Sequence, residues 1–382
     1  MKALILIDSF KGSLTSLETG NAIKEGIKRA NKNIISKVIP LADGGEGTVD
    51  SLTSSLKGKI VKLKVTGPLG NKINTYYGIK NKLAIIECAN ICGLPLVAKN
   101  KRNVLNTTSY GLGEVIIDAI KKGCNKFIVG LGGSGTNDVG IGMLTALGFN
   151  FFDKNNKRIK PYGSAFLDSI NKFKSSKLIN KLNKCEFLIA SDVNNPLNGK
   201  NGCTYIFAPQ KGIDPKLMAK IDNNIKIFGL NSCSFLKKDK SEINYTGAGA
   251  AGGLGFAFMT FLNAKMKPGI EVVIKSASIE KEIKNTDIVI TGEGKLDAQT
   301  MMGKAPGGIA KLAKKYHKPV LAFAGSIAVS QTKLNKLGID ASFAILNKII
   351  SLEEAMKKDI AKENITNTAE QVFRSIEIGK KL

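Results

Sequence analysis

Apolar and polar positions follow one pattern at both ends of the chain and another in the middle. Residues 3–7 are a continuous apolar run, the signature of a strand buried on both faces. Ser13 or Thr15 can cap a helix whose apolar positions Leu17, Ala22, Ile23 and Ile27 recur at helical spacing. Residues 37–41 then predict a second strand and 48–56 a second helix. From residue 285 this alternation returns. Strands are predicted at 287–291, 319–324 and 341–346, with helices at 307–316 and over most of 352–376.

The middle reads differently. Runs at 60–65 and 74–79 flank the turn cluster Gly67-Pro-Leu-Gly70, and 83–87 follows, which predicts an antiparallel meander. Helices are predicted at 112–121 and 141–147, and strands at 127–130 and 187–190. Residues 248–263 read as a Gly/Ala-rich helix packed closely on neighbouring backbone, and 231–243 as a Lys-rich surface loop. No internal repeat or low-complexity linker occurs. The fold class expected is α/β. A Rossmann- or flavodoxin-like parallel-sheet domain is built from both chain ends (1–65 plus 285–382), and a mixed α/β domain (66–284) is inserted. A length of 382 residues suits two cores rather than one.

Composition narrows the chemistry. A single His argues against a Ser-His-Asp triad, a Cys-His dyad and a multi-His metal site, so a carboxylate or a Lys is the expected base. The net charge of +26 points first to nucleic acid, but only Arg29, Arg102, Arg158 and Arg374 among 57 basic residues are Arg. Lys and Asn share A-rich codons, so the Lys excess beside 32 Asn reads as genomic background. No basic-aromatic stacking run appears. The six Cys form no CxxC pair and suit a reducing compartment, with Cys88 and Cys92 as core packing. The apolar N-terminal run is too short for a signal peptide, and no stretch is long enough to span a membrane. A cytoplasmic protein is expected, with no membrane or nucleic-acid partner. His317 reads as a surface loop residue.

The 40 Gly gather at the ends of predicted strands, often beside acids. In open α/β sheets ligands sit outside the carboxyl ends of the strands, and Gly there lets backbone N–H groups approach a phosphate. Residues 130–135 match GxGxxG, with Asp153 in the place of a ribose-binding acid, so a nicotinamide oxidoreductase stays open. Residues 247–252 match the same pattern without a strand before them, which shows how cheap it is. No GxxxxGK[ST] loop occurs. The acids Asp8, Asp43, Glu46, Asp138, Asp192, Glu293 and Asp297 beside Gly turns suit Mg²⁺ bridging a polyphosphate, although each alone is also ordinary turn chemistry.

The motifs Asp8-Ser-Phe-Lys-Gly-Ser13, Leu41-Ala-Asp-Gly-Gly-Glu-Gly-Thr48, Thr66-Gly-Pro-Leu-Gly70, Thr108-Ser-Tyr-Gly111 and Leu131-Gly-Gly-Ser-Gly-Thr-Asn-Asp138 run in order along the chain. They continue with Asp192-Val-Asn-Asn-Pro-Leu197, Pro209-Gln-Lys-Gly212, Gly247-Ala-Gly-Ala-Ala-Gly-Gly-Leu-Gly255, Thr291-Gly-Glu-Gly-Lys-Leu-Asp-Ala-Gln-Thr300 and Gly303-Lys-Ala-Pro306. In these the sequence resembles the type 1 glycerate kinase family over nearly its whole length. Ile7 stands where that family usually has Pro, and Val139 where Gly is common. The resemblance implies ATP- and Mg²⁺-dependent phosphorylation of D-glycerate, usually to 2-phosphoglycerate, in an interdomain cleft of a monomer or homodimer.

Candidate roles follow from position. Lys11, in the Gly turn after the first strand, is a candidate to hold a phosphate or the glycerate carboxylate, with Asp8, Ser9 and Gly12 beside it. Arg102 could clamp a carboxylate bidentately or be a solvated loop residue. Asp192 ends a strand and is the candidate general base, with an Asx-turn to Asn194 as the competing reading. Gly132, Gly133 and Ser134 are candidates to cradle phosphate, with Asn137 and Asp138 in the same loop. Lys211 and Lys304 are candidate phosphate contacts. Asp43, Glu46, Glu293 and Asp297 are candidate Mg²⁺ carboxylates.

Overall fold

The computed structural model describes residues 1–160, 162–175, 179–301 and 304–382. Its strands in chain order begin with β1 (Lys2–Ile7), β2 (Ile35–Val38), β3 (Lys59–Thr66), β4 (Lys72–Lys80) and β5 (Leu83–Glu87). Next come β6 (Lys126–Gly130), β7 (Asn150–Phe152), β8 (Arg158–Ile159), β9 (Lys172–Lys174) and β10 (Glu186–Ala190). The last are β11 (Lys265–Lys267), β12 (Ile288–Leu296), β13 (Val320–Ile327) and β14 (Ala341–Ala344). The chain divides into two compact units. One comprises Met1–Asp43, Asp50–Leu56 and Ile270–Leu382; the other comprises Gly44–Val49 and Lys57–Gly269.

The unit made from the chain ends carries a five-stranded sheet in the order β14-β13-β12-β1-β2, parallel at every pair. Continuous apolar runs make this possible, because helices cover the sheet. Thr15 caps helix Ser16–Ala30 with a full capping box to Glu18. That helix packs on Lys358–Gly379, and Ile23, Ile27, Ile365, Ala369 and Phe373 share one core with strand residues Ile5, Ile290 and Phe323. The second strand starts earlier than the predicted 37–41. Its ladder nonetheless continues through Ile39 N–H to Ile5 C=O and Leu41 N–H to Ile7 C=O, with Pro40 between them lacking a donor.

The other unit carries a six-stranded mixed sheet, β11-β10-β6-β5-β4-β3. The meander β3-β4-β5 is antiparallel, and β5, β6, β10 and β11 are parallel. Strand β3, which the sequence reading assigned to the end-built domain, pairs with β4 in this sheet. A small antiparallel sheet, β8-β7-β9, lies in the same unit.

Two local expectations are corrected. Residues 231–235 are not loop: helix Met218–Phe235 runs through them because Ser232 and Cys233 are buried in its core face. The Gly/Ala-rich helix Ala250–Leu262 is broken at its start, where Ala251, Gly252 and Gly253 take left-handed φ. A Cβ at Gly252 would lie 2.1 Å from the Thr136 carbonyl oxygen, so only glycine permits that approach.

Val139, the departure from the family's Gly, has φ 51° and is fully buried. A β-branched residue there is strained, and replacing it by Gly trades about 1–2 kcal/mol of relief against lost apolar burial of similar size. Val139→Gly is therefore expected to cost less than about 1 kcal/mol, while Val129→Gly on β6 costs about 3 kcal/mol. Urea midpoints of the two variants check this; equal losses would contradict the strain.

Candidate active site

In the end-built unit, β1 and β12 pair in register with Ile7 opposite Gly292, and Asp8 N–H donates to Gly292 C=O at 2.9 Å. Asp8, leaving β1 at its carboxyl end, therefore lies beside Glu293, which is still within β12 and pairs with Ala324 of β13. Asp8 and Glu293 line a pocket of about 500 Å³ together with Ser9, Lys11, Asp297 and Lys304. Gly12, with φ +79°, turns the loop after β1 so that Lys11 faces this pocket. Lys11 Nζ lies 3.0 Å from Asp43 Oδ2.

The electrostatics follow from burial and crowding. Asp8 is 5% exposed. Burial, with the Asp43 charge next and Glu293 adding to it, pushes its carboxyl up to about 7 against the Ser9 N–H at 2.7 Å and Lys11. Glu293 is lifted chiefly by burial, and the Thr300 hydroxyl donating at 2.6 Å and Lys304 oppose this. Burial works against the Lys11 charge, but Asp43, then Asp8 and Glu293, raise its proton affinity.

The second unit holds the other candidates. The Asp43-Gly-Gly-Glu-Gly47 stretch enters it at Gly44, whose carbonyl accepts the Gly132 N–H at 3.0 Å. That amide, expected to cradle phosphate, is thus committed to backbone. Gly133 is exposed, and so is Glu46. Lys211 is 2% exposed and donates to Ser134 Oγ at 2.9 Å and Thr136 C=O at 2.7 Å. It anchors the glycine loop from beneath, and burial lowers its proton affinity. Asp138 is fully buried and accepts from Ser109 N–H and Oγ and from the amides of Gly140 and Gly142. It organises the start of helix Ile141–Ala146. Asn137 donates to Thr204 Oγ1 at 3.1 Å. Arg102 donates to the carbonyls of Val97 and Gln210, both at 3.3 Å, so it pins a loop to the Pro209–Lys211 turn. Asp192 is exposed beyond β10, and its Oδ1 accepts the Gly269 N–H at 2.9 Å. Cys88 and Cys92 are buried, and His317 is exposed in a turn.

With this geometry in place, the comparisons decide the family. The glycerate kinase family model matches residues 3–377. The chain belongs to the glycerate kinase family. It is 41% identical to "Glycerate 2-kinase" of Escherichia coli K12, over 99% of both chains. It is 40% identical to "Glycerate kinase" of Bacillus subtilis 168, over 100% of this chain and 99% of that one. Its fold is similar to a crystal structure from Salmonella typhimurium LT2 described as a candidate glycerate kinase 2. There the TM-score is 0.88 and the identity 38%, covering 100% of each chain. The chain is thus an enzyme, a kinase, and neither the nicotinamide nor the nucleic-acid reading is favoured. No helix among the described residues is long and apolar enough to cross a membrane.

The structure adds residues that the sequence reading did not single out. Thr300 is fully buried, donates to the Glu293 carboxylate and accepts the Asp297 backbone N–H at 3.0 Å, so it ties that carboxylate to the turn that carries Asp297. Its place in the 291–300 motif was the available signal. Leu346, Leu352 and Met356 line the pocket's other end, and as isolated apolar residues they carried none. Gly303 of the last motif lies outside the described residues.

The lifted Asp8 carboxyl has a stability consequence. Unfolded, Asp8 releases its proton near 4; folded, it does so at about 7. Between these values the native state binds more protons, so the Asp8 contribution falls as pH rises from about 4 to 7. Asp8→Asn removes that fall. Without ligand, its unfolding free energy relative to the parent should climb from pH 4 to pH 8, by on the order of 4 kcal/mol at full effect, and a series of Tm measurements across that range reads the rise. A pH-independent difference would contradict the burial argument.

Proposed function

We propose that the chain transfers the γ-phosphoryl group of ATP to the C2 hydroxyl of D-glycerate, giving 2-phosphoglycerate and ADP. The observation that carries this reading is the end-built unit's pocket, where Lys11 and Lys304 face Asp8, Glu293 and Asp297 at the carboxyl edge of a parallel sheet. Phosphoryl transfer asks the protein for positioning and charge neutralisation rather than covalent chemistry. Lys11 and Lys304 supply positive charge for phosphate and carboxylate oxygens. The E. coli relative's name, "Glycerate 2-kinase", supports the 2-position.

The attacking hydroxyl must lose a proton. Asp8 takes this role in the proposal, because a carboxyl that titrates near 7 accepts a proton at working pH and its neutral form is not costly. Asp192, the candidate from sequence, is exposed and spends one oxygen on the Gly269 N–H, which fits a positioning role. The pocket's donor set also fits Mg²⁺, since its described lining offers carboxylate oxygens and no His or Cys. Glu293 and Asp297 would hold the ion, and when bound it neutralises charge on the transferring phosphate. Among the described residues no group of three or more His, Cys, Asp or Glu is arranged to hold a metal. Mg²⁺ commonly keeps one or two carboxylates and completes its shell with phosphate and water. Asp43, paired with Lys11, orients that lysine.

The test is a coupled assay with D-glycerate, ATP and Mg²⁺, followed by phosphorus NMR of the product. The expected result is ADP release that depends on D-glycerate and a phosphate resonance coupled to the C2 proton. Absence of ADP release would overturn the activity, and coupling to the C3 protons would overturn the position.

A further inference from the structure

The pocket in the end-built unit has two chemically different ends. One, after β1 and β12, is charged. The other, after β14, is apolar and formed by Ile345, Leu346, Leu352, Ala355 and Met356. Three of these apolar side chains face solvent: Leu346 is 40% exposed, Leu352 75% and Met356 37%. Ile349 between them is fully exposed. Isolated exposed apolar residues need no explanation, but a run of them on the rim of a cavity marks a surface that a ligand covers. The wall is also preset. Leu352 and Met356 are four residues apart across a helical turn, which puts them on one face. Ser351 Oγ caps the turn by accepting the Glu354 N–H at 3.2 Å. Met356 packs onto the Asp8–Ser13 loop so closely that a Cβ at Gly12 would lie 2.6 Å from its Cε.

Of the two substrates, D-glycerate carries an oxygen on each of its three carbons and has nothing to gain from such a wall. The flat, weakly polar part of the pair is the nucleotide base. A thioether and two leucines are suited to the face of an aromatic ring. We propose that Leu346, Leu352 and Met356 seat the adenine base of ATP, with its phosphates running toward Lys11 and Lys304. This inference rests on the kinase reading above and adds the residues that hold the base. The pocket volume of about 500 Å³ falls within the range of sites that bury a ligand of nucleotide size.

Leu352 is the position to test, because it is largely exposed and its replacement leaves the core intact. Binding of ADP is measured by calorimetry for the parent, Leu352→Asn and Leu352→Phe. The expected result is a Kd about tenfold weaker for Leu352→Asn and equal or tighter for Leu352→Phe. The KM for ATP should follow the same order while the KM for D-glycerate stays within about twofold. Inorganic triphosphate, which has no base, should bind parent and Leu352→Asn alike. Unchanged ADP affinity in Leu352→Asn, or an equal loss for triphosphate, would overturn the base seat. A parent protein that binds ADP with the expected Leu352 dependence but never phosphorylates D-glycerate would overturn the kinase reading and leave the seat standing.

Discussion

The parallel pairing of β1 with β12 is the constraint on which the end-built unit's chemistry depends. Its register sets Ile7 against Gly292, so Asp8 at the end of β1 must lie beside Glu293 of β12. Burial first and the Asp43 charge next make ionising Asp8 costly, with Glu293 a smaller addition. The fold meets this with the Ser9 amide on Asp8, the Thr300 hydroxyl on Glu293, and Lys11 and Lys304 nearby. What remains uncompensated appears as a proton held by Asp8 to about pH 7. A cation and the nucleotide phosphates would alter that balance on arrival. On the proposed reading, this buried charge is a local instability that a bound cation would relieve.

The second unit uses glycine and buried polar groups differently. Much of its glycine loop is held by protein, while Gly133 stays exposed. Gly132 bonds Gly44, Lys211 reaches up to Ser134 and Thr136, and Asp138 gathers the Ser109, Gly140 and Gly142 donors. Burying the Lys211 ammonium is costly, and its two short hydrogen bonds are what make the position tolerable. At Gly252 the close approach of the Thr136 backbone is itself enough to require the motif's glycine.

Much of the fold was legible in the sequence. Apolar runs such as residues 3–7 and the Thr15 cap carry strong local signals, and the structure places β1 and helix Ser16–Ala30 there. The break at residues 251–253 was not legible, because Gly and Ala read as helix unless the neighbouring loop is known to approach. The site was legible in part. Acids beside glycine turns pointed to Asp8, Lys11, Glu293, Asp297 and Lys304, and all five line one pocket. Burial depth was not legible, so Lys211 and Asp138 looked like contacts when they are fully enclosed. Exposed apolar residues such as Leu352 gain meaning only once a cavity lies beside them. The +26 net charge is carried by Lys spread along the chain, and Lys11 and Lys304 are among the residues that line the pocket.

The central claim is that the buried carboxylate beside Gly292, rather than the exposed one beyond β10, accepts the proton of the attacking hydroxyl. Steady-state kcat for Asp8→Asn and Asp192→Asn, measured side by side with saturating ATP, Mg²⁺ and D-glycerate, tests it most directly. The account predicts a loss of about 100-fold or more for Asp8→Asn and a much smaller one for Asp192→Asn. A kcat that survives Asp8→Asn and collapses in Asp192→Asn would contradict it.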